Sequence, residues 1–370
     1  MKIDLPTGPL AGLRIVEFAG LGPAPFACML LSDMGADVLT IDRPGVPVND
    51  GTNITRRGRR TLQVDLKDPG TVEKVLLILE RADVLVEGFR PGVMERLSLG
   101  PDLVAARNQR LIYARMTGWG QDGPLAPYAG HDINYIAITG ALHAIGHAGG
   151  PPVPPLNLVG DYGGGSLFLV AGILAAVYEV GKSGKGQIVD ASITDGVTSM
   201  MTHFVSQHLR GSFREERGTN ILDGGAPYYG IYETSDAKHV CIGPMEPAFF
   251  SVLCDLLDVN ESLRDAQSDR ARWPLLRAEF ERAFRSRTRD EWTVRLECTD
   301  ACFSPVLSIS EAMKHPHILA RRTFINIDGV SQPAPAPRFS RTPSSVQRRN
   351  ASGLTEIQTV LDAWCDDSGR

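Results

Sequence analysis

The chain has 370 residues, 43% of them hydrophobic, enough for two domains or for one large domain with a substantial core. Its net charge of −5 offers no global attraction for nucleic acid or an anionic membrane, so an anionic ligand has to be held by local basic residues. Residues 1–6 lack a basic-then-apolar leader pattern, the apolar run at 167–178 is too short to span a bilayer, and the six cysteines are scattered without metal-ligand spacing, which reads as a cytoplasmic protein with reduced thiols, no metal and no membrane segment.

Residues 13–18 predict a strand, Gly20-Leu21-Gly22-Pro23 a turn, 25–34 a helix carrying Phe26, Met29, Leu30 and Leu31, and 36–42 a second strand. This is a βαβ unit, and it predicts an α/β fold with a parallel sheet. It also imitates a dinucleotide fingerprint, with Gly20 and Gly22 in place and Asp42 at the distance of a ribose-binding acid. Pro25 stands where the third glycine belongs, and its ring and missing N–H argue against NAD.

Further strands are predicted at 61–66, 82–87 and 111–116. Arg43 follows the second strand, and Arg90 and Arg96 lie in or just beyond the loop Gly88-Phe89-Arg90-Pro91-Gly92. Open α/β sheets bind ligands outside the carboxyl ends of their strands, and the planar arginine fork suits phosphate, so these arginines point to a polyphosphate ligand. The cluster Arg56, Arg57, Arg59 and Arg60 reads by itself as a solvated basic face.

The stretch 130–178 holds the residues with the most chemistry. It opens with Gly130-His131-Asp132-Ile133-Asn134-Tyr135, crosses a proline-rich loop at 149–155 and reaches Gly160-Asp161-Tyr162-Gly163-Gly164-Gly165-Ser166. The apolar run that follows predicts a buried helix with Ser166 as its N-cap. Asp161 then stands near a helix N-terminus, where free N–H groups and the helix dipole favour negative charge. Locally, a capping carboxylate and a catalytic one are both open, and a lone histidine is more often structural than catalytic.

Residues 186–193 predict a strand that runs into a helix, and 209–227, rich in Gly, Arg and Asp, read as a linker. A hairpin over 231–242 and amphipathic helices near 249–257 and 274–287 follow, and a short helix over 355–364 closes the chain. The predicted divisions are a large domain at 1–200, a linker at 201–228, a small α+β domain at 229–324, and a segment at 325–370 returning to the large domain.

The motifs Leu10-Ala11-Gly12-Leu13-Arg14-Ile15-Val16-Glu17, Gly35-Ala36-Asp37-Val38, Val64-Asp65-Leu66-Lys67, Gly118-Trp119-Gly120-Gln121, Gly160-Asp161 and Ser183-Gly184-Lys185-Gly186-Gln187 together resemble the class III CoA-transferase superfamily. The 130–135 motif, Leu222-Asp223-Gly224-Gly225-Ala226-Pro227-Tyr228-Tyr229 and Glu246-Pro247 are similar to its racemase branch. The resemblance implies a Rossmann-like large domain, a small domain and two interlocked subunits. It implies an acyl-CoA thioester substrate, with CoA or substrate contacts at Arg43, Val64, Asp65, Leu66, Lys67, Gly88, Phe89, Arg90, Arg96, Gly130, Asp132 and Tyr135. It implies that His131 and Asp161 are the acid/base pair, that Glu246 supports His131, and that no cofactor is needed because CoA is part of the substrate.

The residue types suit that chemistry. Inverting a 2-methylacyl thioester removes the α-proton on one face and returns one on the other, which calls for two bases tuned toward neutral pH. The enolate between the two steps needs donors, expected at the N–H groups of 163–165. Met200, Met201 and Met245 are candidates for an apolar acyl surface. A CoA transferase would instead use Asp161 as a nucleophile and would not need His131. A catalytically idle CoA-binding protein would need neither residue, nor Glu246.

Overall fold

Six short segments pair as parallel strands in one sheet: β1 (Arg14–Phe18), β2 (Asp37–Asp42), β3 (Arg60–Gln63), β4 (Val84–Glu87), β5 (Ile112–Thr117) and β6 (Ile188–Ser192), in the order β3-β2-β1-β4-β5-β6. The computed structural model describes residues 7–47, 51–347 and 354–365. Strands covered on both faces favour unbroken Val, Ile and Leu over alternation, and Ile15, Val16, Val38, Leu39, Val84, Leu85 and Val86 are fully buried. The register pairs Ile15 with both Val38 and Val84, so β1 lies between β2 and β4. The chain winds outward from β1 to β3, then returns to the other side of β1 with β4. Between the carboxyl ends of β1 and β4 the loops therefore part, which is where α/β sheets open a crevice.

The helices after the first strands are α1 (Pro23–Asp33), α2 (Pro69–Leu79), α3 (Val93–Arg96), α4 (Pro101–Arg107) and α5 (Asp132–Ile138). Proline opens α1, α2 and α4, where the missing N–H has no partner to lose. Asp68 caps α2 by accepting from the N–H groups of Gly70 and Thr71.

The 56–60 cluster is not a solvated basic face. Arg56 meets Asp42 at 2.6 Å, Arg57 meets Asp33 at 2.5 Å, Arg59 meets Glu17 at 2.5 Å and Arg60 meets Asp37 at 2.8 Å. Arg57 and Arg59 are buried, as are Asp33 and Glu17. These carboxylates come from β1, β2 and the end of α1, so the arginines fasten the approach to β3 onto the sheet. Arg57 also donates to Gln332 at 2.9 Å and to the Pro333 carbonyl at 2.7 Å, tying in the hairpin of β10 (Phe324–Ile327) and β11 (Val330–Pro333).

The chain forms two compact units. The first draws on the chain up to Ala141, on Pro155–Thr202 and on everything from Arg322. The second, Leu142–Pro154 with His203–Arg321, holds the antiparallel sheet of β7 (Gly230–Glu233), β8 (His239–Ile242) and β9 (Phe303–Pro305). Its core is aromatic: Tyr232, Phe250, Phe280, Phe284 and Trp292 pack mostly edge to face. Within the stretch read as a linker, Thr202–Leu209 is helical, and Asp223 accepts the N–H groups of Gly218, Asn220 and Gly225.

The apolar run after Asp161 is longer and less covered than its sequence suggests. It belongs to one continuous helical stretch, Leu158–Ser183, the one helix among the described residues long and apolar enough to cross a membrane by length and composition. Only 39% of its most apolar window is buried, and Leu167 and Tyr178 are 53% and 69% exposed.

Removing one partner of a buried ion pair leaves the other uncompensated. Arg57→Ala should therefore lower the unfolding free energy by about 3–5 kcal/mol, read by urea denaturation. A loss within ~0.5 kcal/mol, the range of ordinary surface substitutions, would mean that the cluster does face solvent after all.

Candidate active site

A cleft of about 700 Å³ lies at the carboxyl ends of β1 to β4. Its wall is made by Ala19–Gly22 after β1, Arg43 after β2, Val64, Asp65, Leu66 and Lys67 after β3, and Phe89 after β4, with Asn157 and Tyr162 entering from the helical stretch. Six residues selected from sequence thus share one wall, and Arg43 and Lys67 are exposed on it. Gly88 and Arg90 sit on the β4 loop and Arg96 ends the short helix α3 that follows it, none of them lining the cleft. That loop is pinned from below: Glu87 is buried and accepts the Phe89 N–H at 2.7 Å and Arg115 at 2.8 Å, while Arg115 reaches Glu95 at 3.0 Å.

The local geometry does not suit a dinucleotide. Pro23 and Pro25 occupy the first turn of α1, where a diphosphate would need N–H groups. Asp42, in the position of the ribose-binding acid, is already engaged by the Arg43 N–H at 2.8 Å and Arg56 at 2.6 Å.

The helix holding Asp161 starts earlier than predicted and in a different form. Leu158–Leu167 is a π-helix, continued by the α-helix Phe168–Ser183. Ser166 is therefore not an N-cap; it is fully buried inside the helix. The glycines that read as loop are there for close approach. A Cβ on Gly160 would stand 2.2 Å from Asp132 Oδ2, one on Gly164 would stand 2.5 Å from Val197 Cγ2, and one on Gly196 would stand 1.9 Å from the Gly164 carbonyl. Among helices the π form is rare and concentrates at functional sites.

Asp161 does lie in the first turn, as expected. Its N–H donates to Asp132 Oδ2 at 2.7 Å, and Asn157 Nδ2 donates to its Oδ2 at 3.3 Å. Gly22 faces the same oxygen, where a Cβ would stand 3.0 Å away. The π-ladder begins with the Tyr162 N–H on the Asn157 carbonyl at 3.2 Å. The N–H groups of 163–165 are thus committed inside the helix, which corrects their expected role as anion donors. A π-helix leaves those of 158–161 outside its ladder, and Asp132 takes that of Asp161.

His131 precedes α5 with an exposed side chain, and its N–H donates to Asn134 Oδ1 at 3.0 Å. Tyr135 donates its hydroxyl to the Gly130 carbonyl and packs edge-on to Trp119 at 4.7 Å. Its ring lies where a Cβ on Gly118 or Gly130 would be, at 1.9 and 2.6 Å. Burial pushes the Asp161 carboxyl above the ordinary aspartate range, the Asn157 hydrogen bond lowers it, the Asp132 carboxylate raises it and the His131 charge lowers it. Burial also raises the Tyr135 phenol, with Asp161 adding to the rise and Arg90 opposing it.

Glu246 belongs to the second unit, where it is exposed and precedes the helix Pro247–Leu256. The loop ahead of it is held by the Gln267 amide, which donates to the carbonyls of Pro244 at 3.2 Å and Met245 at 2.9 Å. Met200 packs at Gly163, within 3.2 Å of a Cβ placed there. Sequence reasoning missed Asn157, the contact of Gly22 with Asp161, and the stacking of Phe26 on Tyr162 at 4.2 Å. Asn157 stands four residues before Asp161, a spacing visible only once a helix is known to begin there.

Residues 10–352 match the model of CoA-transferase family III. The chain is 43% identical over 357 residues to the alpha-methylacyl-CoA racemase of Mus musculus, covering 95% of this chain and 93% of that one. It is 39% identical over 338 residues to the alpha-methylacyl-CoA racemase of Homo sapiens, covering 90% and 87%. Among solved structures, a CaiB/BaiF family protein from Brucella suis has the same fold, with a TM-score of 0.82, 24% identity and coverage of 96% of this chain and 99% of that one.

The groups around Asp161 make opposite contributions, and substitution should separate them. Asp132→Asn removes a negative neighbour but keeps an oxygen for the Asp161 N–H, so Asp161 should titrate at lower pH. Asn157→Ala removes a donor to the carboxylate, so Asp161 should titrate at higher pH. Carboxyl ¹³C titration by NMR reads both, and shifts in the same direction would contradict the arrangement.

Proposed function

This chain belongs to CoA-transferase family III, and we propose that it inverts the α-carbon of 2-methylacyl-CoA thioesters, with His131 and Asp161 as the two bases. The racemase relatives at 43% and 39% identity support the substrate class. The observation that carries the reading is the half-buried Asp161, its carboxyl pushed up by burial, held against Gly22 and Asn157 of the cleft wall and bonded through its N–H to Asp132, the residue after His131. A carboxylate raised from its usual range holds a proton closer to neutral pH, as an acid/base catalyst must.

In one direction a base breaks the α-C–H bond and keeps the proton, and the electron pair moves onto the thioester oxygen as an enolate. The other base, already protonated, then delivers its proton to the opposite face. Asp161 and His131 exchange these roles for the opposite epimer. The enolate oxygen is stabilised by the N–H groups of the first turn at 158–160 and by the positive end of the helix. Arg43 and Lys67 on the cleft wall, with Arg90 on the β4 loop and Arg96 at the end of α3, hold the CoA phosphates by charge-assisted hydrogen bonds. The thioester supplies its own acidity, so the reaction needs no cofactor.

We propose further that the protein works as a homodimer in which Glu246 of the partner subunit supports His131. The apolar surface left open on the Leu158–Ser183 helix supports this, since patches of that kind are commonly covered by a partner. The unpaired state of all six cysteines fits a reducing, cytoplasmic setting. The second reading is a CoA transferase with Asp161 as the nucleophile, and the family's own name favours it.

One experiment separates the two. A single pure epimer of a 2-methylacyl-CoA is incubated with the protein in D2O without an acceptor acid. Inversion with deuterium at the α-carbon is expected; no change until an acceptor acid is added, followed by CoA transfer, would establish the transferase. Light scattering at assay concentration should return twice the chain mass, and an active monomer would rule out the shared site.

A further inference from the structure

We infer that Ser166 is a positioning residue for Asp161, holding the turn after β1 and the start of the π-helix at a fixed separation across the carboxylate. The inference rests on the two-base reading of the site. Ser166 is fully buried. Its hydroxyl donates to the Pro23 carbonyl at 2.7 Å and to the Asp161 carbonyl at 3.0 Å, one proton shared between two chain segments. Ser166 is also five residues beyond Asp161, so the π-ladder aims its N–H at that same carbonyl. The hydroxyl is therefore not needed to satisfy Asp161. What it adds is the link to α1.

That link acts at the reacting group. Pro23 follows Gly22, and Gly22 stands against the Asp161 carboxylate, where a Cβ would come within 3.0 Å of Oδ2. Gly22 holds φ at 71°, a conformation that resists any side chain, so the turn cannot adjust by substitution. Gly165 rests against the Pro23 ring, where a Cβ would come within 3.0 Å, and Phe26 stacks on Tyr162. The stacked pair and the serine hydroxyl fix α1 to the π-helix at two points, one and five residues beyond Asp161. His131 is held on the other side, through α5 and the Asp132 bond to the Asp161 N–H. Without the serine hydroxyl, the turn after β1 loses its fixed distance from the carboxylate, and Asp161 loses its place more than His131 does.

The test is α-proton exchange in D2O, measured on each pure epimer of a 2-methylacyl-CoA. His131→Ala and Asp161→Ala first establish which epimer each base deprotonates. Ser166→Ala should slow exchange of the Asp161 epimer roughly tenfold, the scale of a lost hydrogen bond plus a small misplacement, while the His131 epimer changes less than about twofold. The KM for acyl-CoA should stay within about twofold, because the cleft wall is untouched. Ser166→Cys keeps the volume and a weak donor, and its ratio should fall between the parent and Ser166→Ala; it carries the test if the alanine variant does not fold. Equal slowing of both epimers would overturn the inference, as the mark of a packing role, and so would slowing of neither. If His131→Ala and Asp161→Ala do not split the epimers, the two-base reading falls, and this inference with it.

Discussion

The bond from the Asp161 N–H to the Asp132 carboxylate, 2.7 Å long, joins the start of the π-helix to the start of α5. It brings together two segments separated by the proline-rich loop at 149–155. For the bond to form, Gly160 can carry no side chain, because a Cβ there would meet the Asp132 oxygen. Tyr135 needs the same freedom at Gly118 and Gly130, whose missing side chains leave room for its ring, and its hydroxyl ties α5 back to the Gly130 carbonyl. His131 sits immediately before Asp132, so the bond that fixes Asp161 also fixes the histidine next to it. The cost is electrostatic: a second carboxylate is placed beside the first, and Asp132 adds to the rise that burial imposes on Asp161.

The sheet supplies the other half of the site. Its strand order opens a crevice beside the carboxyl end of β1, and the turn that leaves β1 rests on Asp161. The basic residues divide by what surrounds them. Arg56, Arg57, Arg59, Arg60 and Arg115 are bound to carboxylates of the fold. Arg43, Arg90 and Arg96 are exposed around the carboxyl ends of the strands, beside the cleft or on the loop above it. In a chain of net charge −5, that separation leaves three arginines exposed at one end of the sheet, the local positive charge that the proposed hold on the CoA phosphates requires.

Most strands were legible as short apolar runs bounded by turn residues and the one after Arg60 by its alternation, and the βαβ spacing of the first two predicts the parallel sheet. Asp161 near a helix start was legible from the apolar run beyond it. The start itself was not. Gly160 and the glycines at 163–165 carry the ordinary signature of a loop, and only their contacts with Asp132, Ile193 and Val197 show that they allow a helix to pack closely. Asn157 was hidden for the same reason, since its relation to Asp161 depends on a helix that local propensity does not favour. The 56–60 arginines were misread because their partners come from β1, β2 and α1, and nothing local records that pairing. The openness of the Leu158–Ser183 helix was missed because an apolar run reads the same whether the chain's own core covers it or a second copy does.

The central claim is that two different groups handle the α-proton on opposite faces. It is tested most directly by following circular dichroism from one pure, protiated epimer in D2O until equilibrium. With two bases the product leaves carrying deuterium, and its return is slowed by the isotope effect. The signal should then pass its equilibrium value, overshoot and come back, from either starting epimer. A monotonic approach to the equilibrium value from both, with the substrate's own proton kept in the product, would mean that a single group serves both faces and would contradict the account.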